Sequence, residues 1–182
     1  PDFVQRMVEF WQAFVARMLE RLLPVVQPDG IMVSEDMAFK AHSMISPRMT
    51  RRFLLPVWQD WVNRIHAYGD TVVMVDSDGF IGELLSLFIE AGFESTWPVE
   101  VAAGNDIHHF RKQYQHQIAY GGGVDKRALA AGGAVMLDEL ERLKPVIDDG
   151  GFIPGCDHGV PADVSWPNFV TYSRRLAQMT GW

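Results

Sequence analysis

The 182-residue chain is 48% hydrophobic and 21% charged, ordinary proportions for a globular protein and enough length for one well-buried domain. A net charge of −7 and a pI near 5.3 argue against a nucleic-acid surface, and no apolar run reaches the roughly 20 residues that span a bilayer. A single cysteine excludes an intrachain disulfide and fits a reducing, cytoplasmic compartment.

Residues 3 to 23 carry Phe3, Met7, Phe10, Phe14, Met18 and Leu22 at helical spacing, and Pro24 and Pro28 stop the run. The chain opens at Pro1 directly inside this pattern, so a piece of a longer polypeptide is expected. "GIMVSED" is the first predicted strand. Ser46 then caps a helix with Pro47 at its first position; the helix runs to about Tyr68, with a kink or restart at Pro56 and Gly69 as terminator.

The alternation continues. "TVVMV" is a strand too apolar to face water, ending in "DSDG"; "FIGELLSLFIEAG" is an amphipathic helix with Gly92 at its end. "FESTWPVEV" is a third strand and "NDIHHFRKQY" a helix opened by Asn105 or Asp106. "QIAYGGG" is a fourth strand, followed by a helix over about 132 to 144; "GFIPG" is a fifth, and the last helix runs from Ser165 to about Met179.

Alternating strands and helices with continuously apolar strands predict an α/β fold of parallel βαβ units, all within one domain over residues 1–182. Working residues in such sheets sit at the strands' C-terminal ends. Five units in about 180 residues match the last five of an eight-unit (β/α)8 barrel, which needs about 250. A five-stranded open sheet is the alternative.

The five tips hold the candidate chemistry. Glu35, Asp36, Asp76, Asp78 and Glu100 are carboxylates expected at one rim, where they bind a cation, move a proton or hold a cationic substrate. The competing role for Asp76 and Asp78 is to cap the helix that follows. Gly121, Gly122 and Gly123, with Asp125, Lys126 and Arg127 behind them, offer an anion cradle or simply a tight turn. Cys156 and His158 are zinc-type donors, a nucleophile with its base, or plain loop residues; side chains two apart in an extended loop tend to diverge. His42 lies in the long loop after the first strand, within reach of the rim, whereas His108 and His109 are adjacent on a helix and share no face.

Four stretches resemble the uroporphyrinogen decarboxylase superfamily: "SEDMAFKAHSMISPRMTRRFLLP", "VVMVDSDGFIGELLSLFIEAGFESTWPVEVAAGNDIHHFRKQY", "GGGVDKRALA" and "GGFIPGCDHGVPADVSWPNFVTYSRRL". The resemblance implies a (β/α)8 barrel of which this chain is the C-terminal portion. It also implies one of two chemistries. One branch removes carboxyl groups from a tetrapyrrole in porphyrin biosynthesis without a cofactor; the other moves methyl groups between a corrinoid partner protein and an acceptor, generally with zinc. The wording of "DMAFK", "DSDG", "EVAAG" and "DKRALA" is similar to the methyltransferase-type branch.

Two departures from the superfamily's patterns stand out. Its thiol-activating members carry a His-x-Cys pair where this chain has Asp76-Ser77-Asp78, while Cys156 falls where their other cysteine does. The arginines expected of the decarboxylase belong to the N-terminal part. The leading expectation is therefore metal-assisted methyl transfer, with Glu35, Asp76, Asp78, Cys156 and His158 positioning metal or acceptor; Glu100, Gly122, Gly123, Lys126 and Arg127 are the candidate substrate contacts. Tetrapyrrole decarboxylation is the alternative, and a non-catalytic barrel fragment is the third. An incomplete barrel leaves strand edges open, so a homo-oligomer or a chain supplying the missing units is expected.

Overall fold

The computed structural model describes residues 1–181. In chain order the elements are α1 (Asp2–Leu22), β1 (Gly30–Ser34), α2 (Pro47–Phe53), α3 (Leu55–His66), β2 (Val72–Asp76), α4 (Leu85–Ala91) and β3 (Ser95–Val99). These lead into α5 (Ile107–Tyr114), β4 (Ala119–Val124), α6 (Lys126–Ala131), α7 (Gly133–Asp149), β5 (Phe152–Cys156) and α8 (Trp166–Thr180). The five strands form one parallel sheet in sequential order, β1-β2-β3-β4-β5. Helical connections between parallel neighbours make it an α/β fold with helices flanking the sheet.

The strand pattern explains which face is covered. In β2, Val73 and Val75 are fully buried beneath the helices, while Val72 between them and the turn is 41% exposed. Met32 of β1 and Ile153 of β5 are likewise exposed, at 48% and 69%. A parallel sheet normally hides both faces. Here one face is sealed and the other presents apolar side chains to the outside.

The sealed face holds the core. Trp58 of α3, Phe88 of α4 and Phe93 pack as a triangle with ring centroids 5.6 to 6.0 Å apart. Ile65, Leu84, Leu85, Leu129, Leu140 and Leu143 extend it with no exposed surface. Truncating one of these aromatics to alanine leaves a cavity costing about 3–5 kcal/mol.

Helix boundaries follow local chemistry, with two differences from expectation. The Ser46 side chain accepts the Met49 N–H as anticipated, and the helix breaks at Leu54 and restarts, as Pro56, which lacks the N–H an uninterrupted helix needs, predicts. A short helix, α6, precedes the one expected over 132 to 144; Asp125 accepts the Arg127 N–H to start it, and Gly132 at φ 68 ends it. Then α7 continues past Pro145 to Asp149. The third strand also stops at Val99, and Val101–Ala103 coil into a 3-10 turn.

Candidate functional site

The loop after β1 and the tips of β2 and β3 surround a cleft of about 520 Å³ at the C-terminal end of the sheet. Its walls include Asp36 and Lys40 from the β1 loop, Asp78 and Gly79 after β2, and Glu100 and Ala102 after β3. The β1 loop is folded on itself by Phe39 N–H to His42 O and Met44 N–H to Met37 O bonds, each 2.8 Å. It is pinned to the β2 tip, where the buried Ser77 hydroxyl accepts the Met37 N–H at 2.9 Å.

Buried polar side chains then lock the tips together. Asn105 donates to the Gly79 and Glu100 carbonyls at 2.8 and 2.9 Å and accepts the Ile81 N–H at 3.1 Å. Asp157, with no exposed surface, accepts the Val101 N–H at 2.9 Å and the Ala102 N–H at 3.4 Å through one oxygen. Its other oxygen accepts the Lys126 N–H at 3.1 Å. Asp157 thus ties the β5 tip to those of β3 and β4. Burial pushes its carboxyl up from the ordinary value, against the opposing pull of these N–H donors and the Lys126 ammonium.

Within this frame Glu100 and Lys126 form an ion pair at 2.8 Å, and Glu100 also accepts the Gly79 N–H at 3.1 Å. Burial alone would raise Glu100; Lys126, Gly79 and the nearby His158 outweigh it and hold the carboxyl below its usual value. Its contribution is therefore present above the ordinary glutamate pKa and lost as pH falls through the folded value. Beside this pair, Asp78 lies 3.3 Å from His158 Nε2. The Gly159 N–H donates to His158 Nδ1 at 2.7 Å, which makes Nε2 the nitrogen that carries the proton toward Asp78.

The other expected site residues lie elsewhere. Asp76 faces the open side of the sheet and accepts the Ser34 hydroxyl at 2.8 Å. Glu35 does not join the rim carboxylates. The strand's alternation carries it, after Ile31 and Val33, to the helix side, where it accepts the Trp58 indole N–H at 2.7 Å. Gly122 and Gly123 form no loop cradle: they lie inside β4, paired with Pro154 and Gly155. Gly122 needs its φ of 87, and a Cβ there would sit 3.2 Å from the Val99 nitrogen. Arg127 is spent on Asp125 at 2.7 Å, and His42 is an exposed neighbour of Glu83.

The Cys156 and His158 pair does not fit a zinc centre as arranged. Cys156 is buried, and burial pushes its thiol up, away from the thiolate that zinc takes. Both imidazole nitrogens of His158 are already engaged. No group of three or more His, Cys, Asp or Glu side chains converges among the described residues. Sequence reasoning passed over Asp157 and Asn105; an Asp between two candidate ligands and an Asn at a helix start look unremarkable until the loops are seen to meet.

Glu35 carries a pH-dependent prediction. Burial raises its pKa, opposed by the Trp58 N–H, so the folded state holds the proton to higher pH than the unfolded chain. Stability from this group is full below the ordinary glutamate value and is lost as pH rises through the folded value. Glu35→Gln keeps an acceptor for Trp58 and removes the charge. Thermal melts are expected to show the variant a few degrees more stable at pH 7, with the gain vanishing near pH 4.

No protein-family model matches the chain, and no curated protein matches it in sequence. Among solved structures it is similar to a methyltransferase from Methanosarcina mazei, at 19% identity and a TM-score of 0.59. The match covers 82% of this chain and 42% of that one, so the chain spans less than half of that protein's length. What the two share is the fold: parallel strands, each followed by covering helices.

Proposed function

We propose that the chain is part of a (β/α)8-barrel enzyme of the methyltransferase type within the uroporphyrinogen decarboxylase superfamily. In this reading the acidic cleft holds a methyl acceptor and takes its proton. The observation that carries it is the Asp78–His158 pair beside Glu100–Lys126 at the C-terminal rim, where parallel α/β folds place their chemistry. The fold similarity to a methyltransferase supports the same class.

Methyl transfer to an X–H acceptor releases a proton. Asp78, oriented by His158 Nε2–H, is the group that receives it, and the freed lone pair on X attacks the methyl carbon. Lys126, held by Glu100, keeps positive charge beside the developing anion. A corrinoid on a partner protein would supply the methyl group, its cobalt keeping the electron pair of the broken Co–C bond. No step passes through zinc. The tetrapyrrole decarboxylase alternative needs cationic contacts for several carboxylates, yet among the described residues Lys40 is the one cation lining the cleft and Lys126 is already paired.

The uncovered sheet face, with Met32, Val72 and Ile153 exposed, is the surface that further barrel strands would close. Those strands come from a second chain or from more of the same polypeptide. Sedimentation of the isolated chain is expected to show self-association, and a monomer at micromolar concentration counts against it. The activity is tested with methylcobalamin and a panel of thiol and phenol acceptors on the assembled protein. Acceptor-dependent demethylation, followed by visible absorbance, should fall about a hundredfold or more in Asp78→Asn. Equal rates in the variant, or no turnover with any acceptor, would remove the proposal.

A further inference from the structure

Two charged residues that line the rim cleft take no part in the proton transfer. Asp36 follows β1, and Lys40 sits in the hairpin beyond it. Neither has an ion-pair partner among the described residues, and they do not pair with each other. Their backbones are nonetheless fixed. The Asp36 N–H donates to the Asp76 carbonyl at 3.3 Å, toward β2 and away from the free edge of β1. A φ of 45 holds Asp36 in the left-handed region that Asp and Asn tolerate. The hairpin is anchored on its other side, where the Phe80 N–H donates to the Phe39 carbonyl at 2.9 Å. The Ser43 N–H and hydroxyl both donate to Glu83 at 3.0 Å.

Opposite charges thus stand apart on one cleft, carried by a braced loop. The remaining cleft carboxylates are committed: Glu100 to Lys126 and the Gly79 N–H, Asp78 to His158. A simple anion would meet Lys40 but face Asp36 and Asp78. A simple cation would meet Asp36 and be repelled by Lys40. A hard metal ion needs six or more oxygens, and no three such donors converge among the described residues. A ligand that carries both an ammonium and a carboxylate answers both charges at once. The other walls include Ala38, Phe39, Met44, Ala102 and Ala103, which suit a short aliphatic arm.

We propose that the methyl acceptor is a zwitterionic amino acid: Lys40 takes its carboxylate, Asp36 its ammonium, and its side-chain thiol is presented to Asp78. This rests on the methyl-transfer reading and names the acceptor class within it.

The test is an NMR titration under reducing conditions that follows the Gly79 and Ala102 amides. The probes are L-cysteine, cysteamine, which lacks the carboxylate, and 3-mercaptopropionate, which lacks the ammonium. Cysteine is expected to bind at least about tenfold more tightly than either. Lys40→Met should remove its advantage over cysteamine and keep the one over 3-mercaptopropionate. Asp36→Asn, which suits the same φ, should do the reverse. Similar affinities for the three probes, tighter binding of either truncated thiol, or no shift with cysteine at tens of millimolar overturn the proposal. Binding is read without turnover, so the two readings fail separately. A cysteine preference without demethylation by any acceptor keeps the zwitterion site and removes the methyltransferase. Demethylation by cysteamine as fast as by cysteine does the opposite.

Discussion

Asp157→Ala is expected to cost about 3 kcal/mol of stability and to free the tips of three strands at once. The side chain has no exposed surface and serves as acceptor for Val101, Ala102 and Lys126 N–H groups, while its own N–H donates to the Val124 carbonyl at 2.9 Å. Alanine leaves two or three donors without a partner, each worth about 1–3 kcal/mol when buried. The 3-10 turn Val101–Ala103 is held by this residue, and the first turn of α6 by it together with Asp125, so both should loosen together. Urea denaturation measures the loss. Amide hydrogen exchange locates it: protection at Val101 and Lys126 should fall before that of the core strands. A variant with unchanged exchange at those amides would show that the tips are held by their backbones alone. Asp157→Asn should lie between, because its single carbonyl oxygen satisfies one side of the brace.

Much of this architecture was legible because the strands advertise themselves. "TVVMV" is too apolar to be anything but a covered strand, "QIAYGGG" continues the same alternation, and β2 and β4 appear there. The turn from β4 into α6 was not, because the glycines at the end of "QIAYGGG" read equally as an anion cradle or a tight turn. In the structure they belong to the strand, where two positive-φ residues let β3 and β5 approach. Glu35 shows a second limit. Its position at a strand tip was correct, but the face it takes depends on a register of two that only Ile31 and Val33 reveal, and both are aliphatic on a strand that is apolar throughout. Asp78 and His158 lie 80 residues apart, and their meeting depends on how the β2 and β5 tips turn. Local pattern gives each tip's position along its strand; the loop geometry decides which side chains meet.

The second large effect concerns the open face. Gly121→Ala is expected to destabilise the chain by about 2–3 kcal/mol, for a reason unlike that at its neighbours. Gly122 and Gly123 have positive φ, so any side chain there is strained by the backbone itself. Gly121 has no such φ. Instead, a Cβ placed on it would lie 1.9 Å from Cε3 and 2.5 Å from Cζ3 of Trp97. The indole runs on toward β5, where a Cβ on Gly155 would come within 3.2 Å of Cη2. Two glycines on adjacent strands thus leave a bed for one tryptophan, whose flat ring forms part of the sheet's uncovered side. Adding a methyl at 121 must tilt that ring off the sheet. If the collision is the whole cause, shrinking the tryptophan removes it: Gly121→Ala on a Trp97→Leu background should cost well under 1 kcal/mol. A double-mutant cycle by urea denaturation is therefore expected to give a coupling of about 1–3 kcal/mol between the two positions. Additive effects would place the cost of the methyl in the strand's backbone and not in the indole. In the Gly121→Ala protein the tryptophan emission should also move to longer wavelength, as the displaced ring gains contact with water on the sheet's uncovered face.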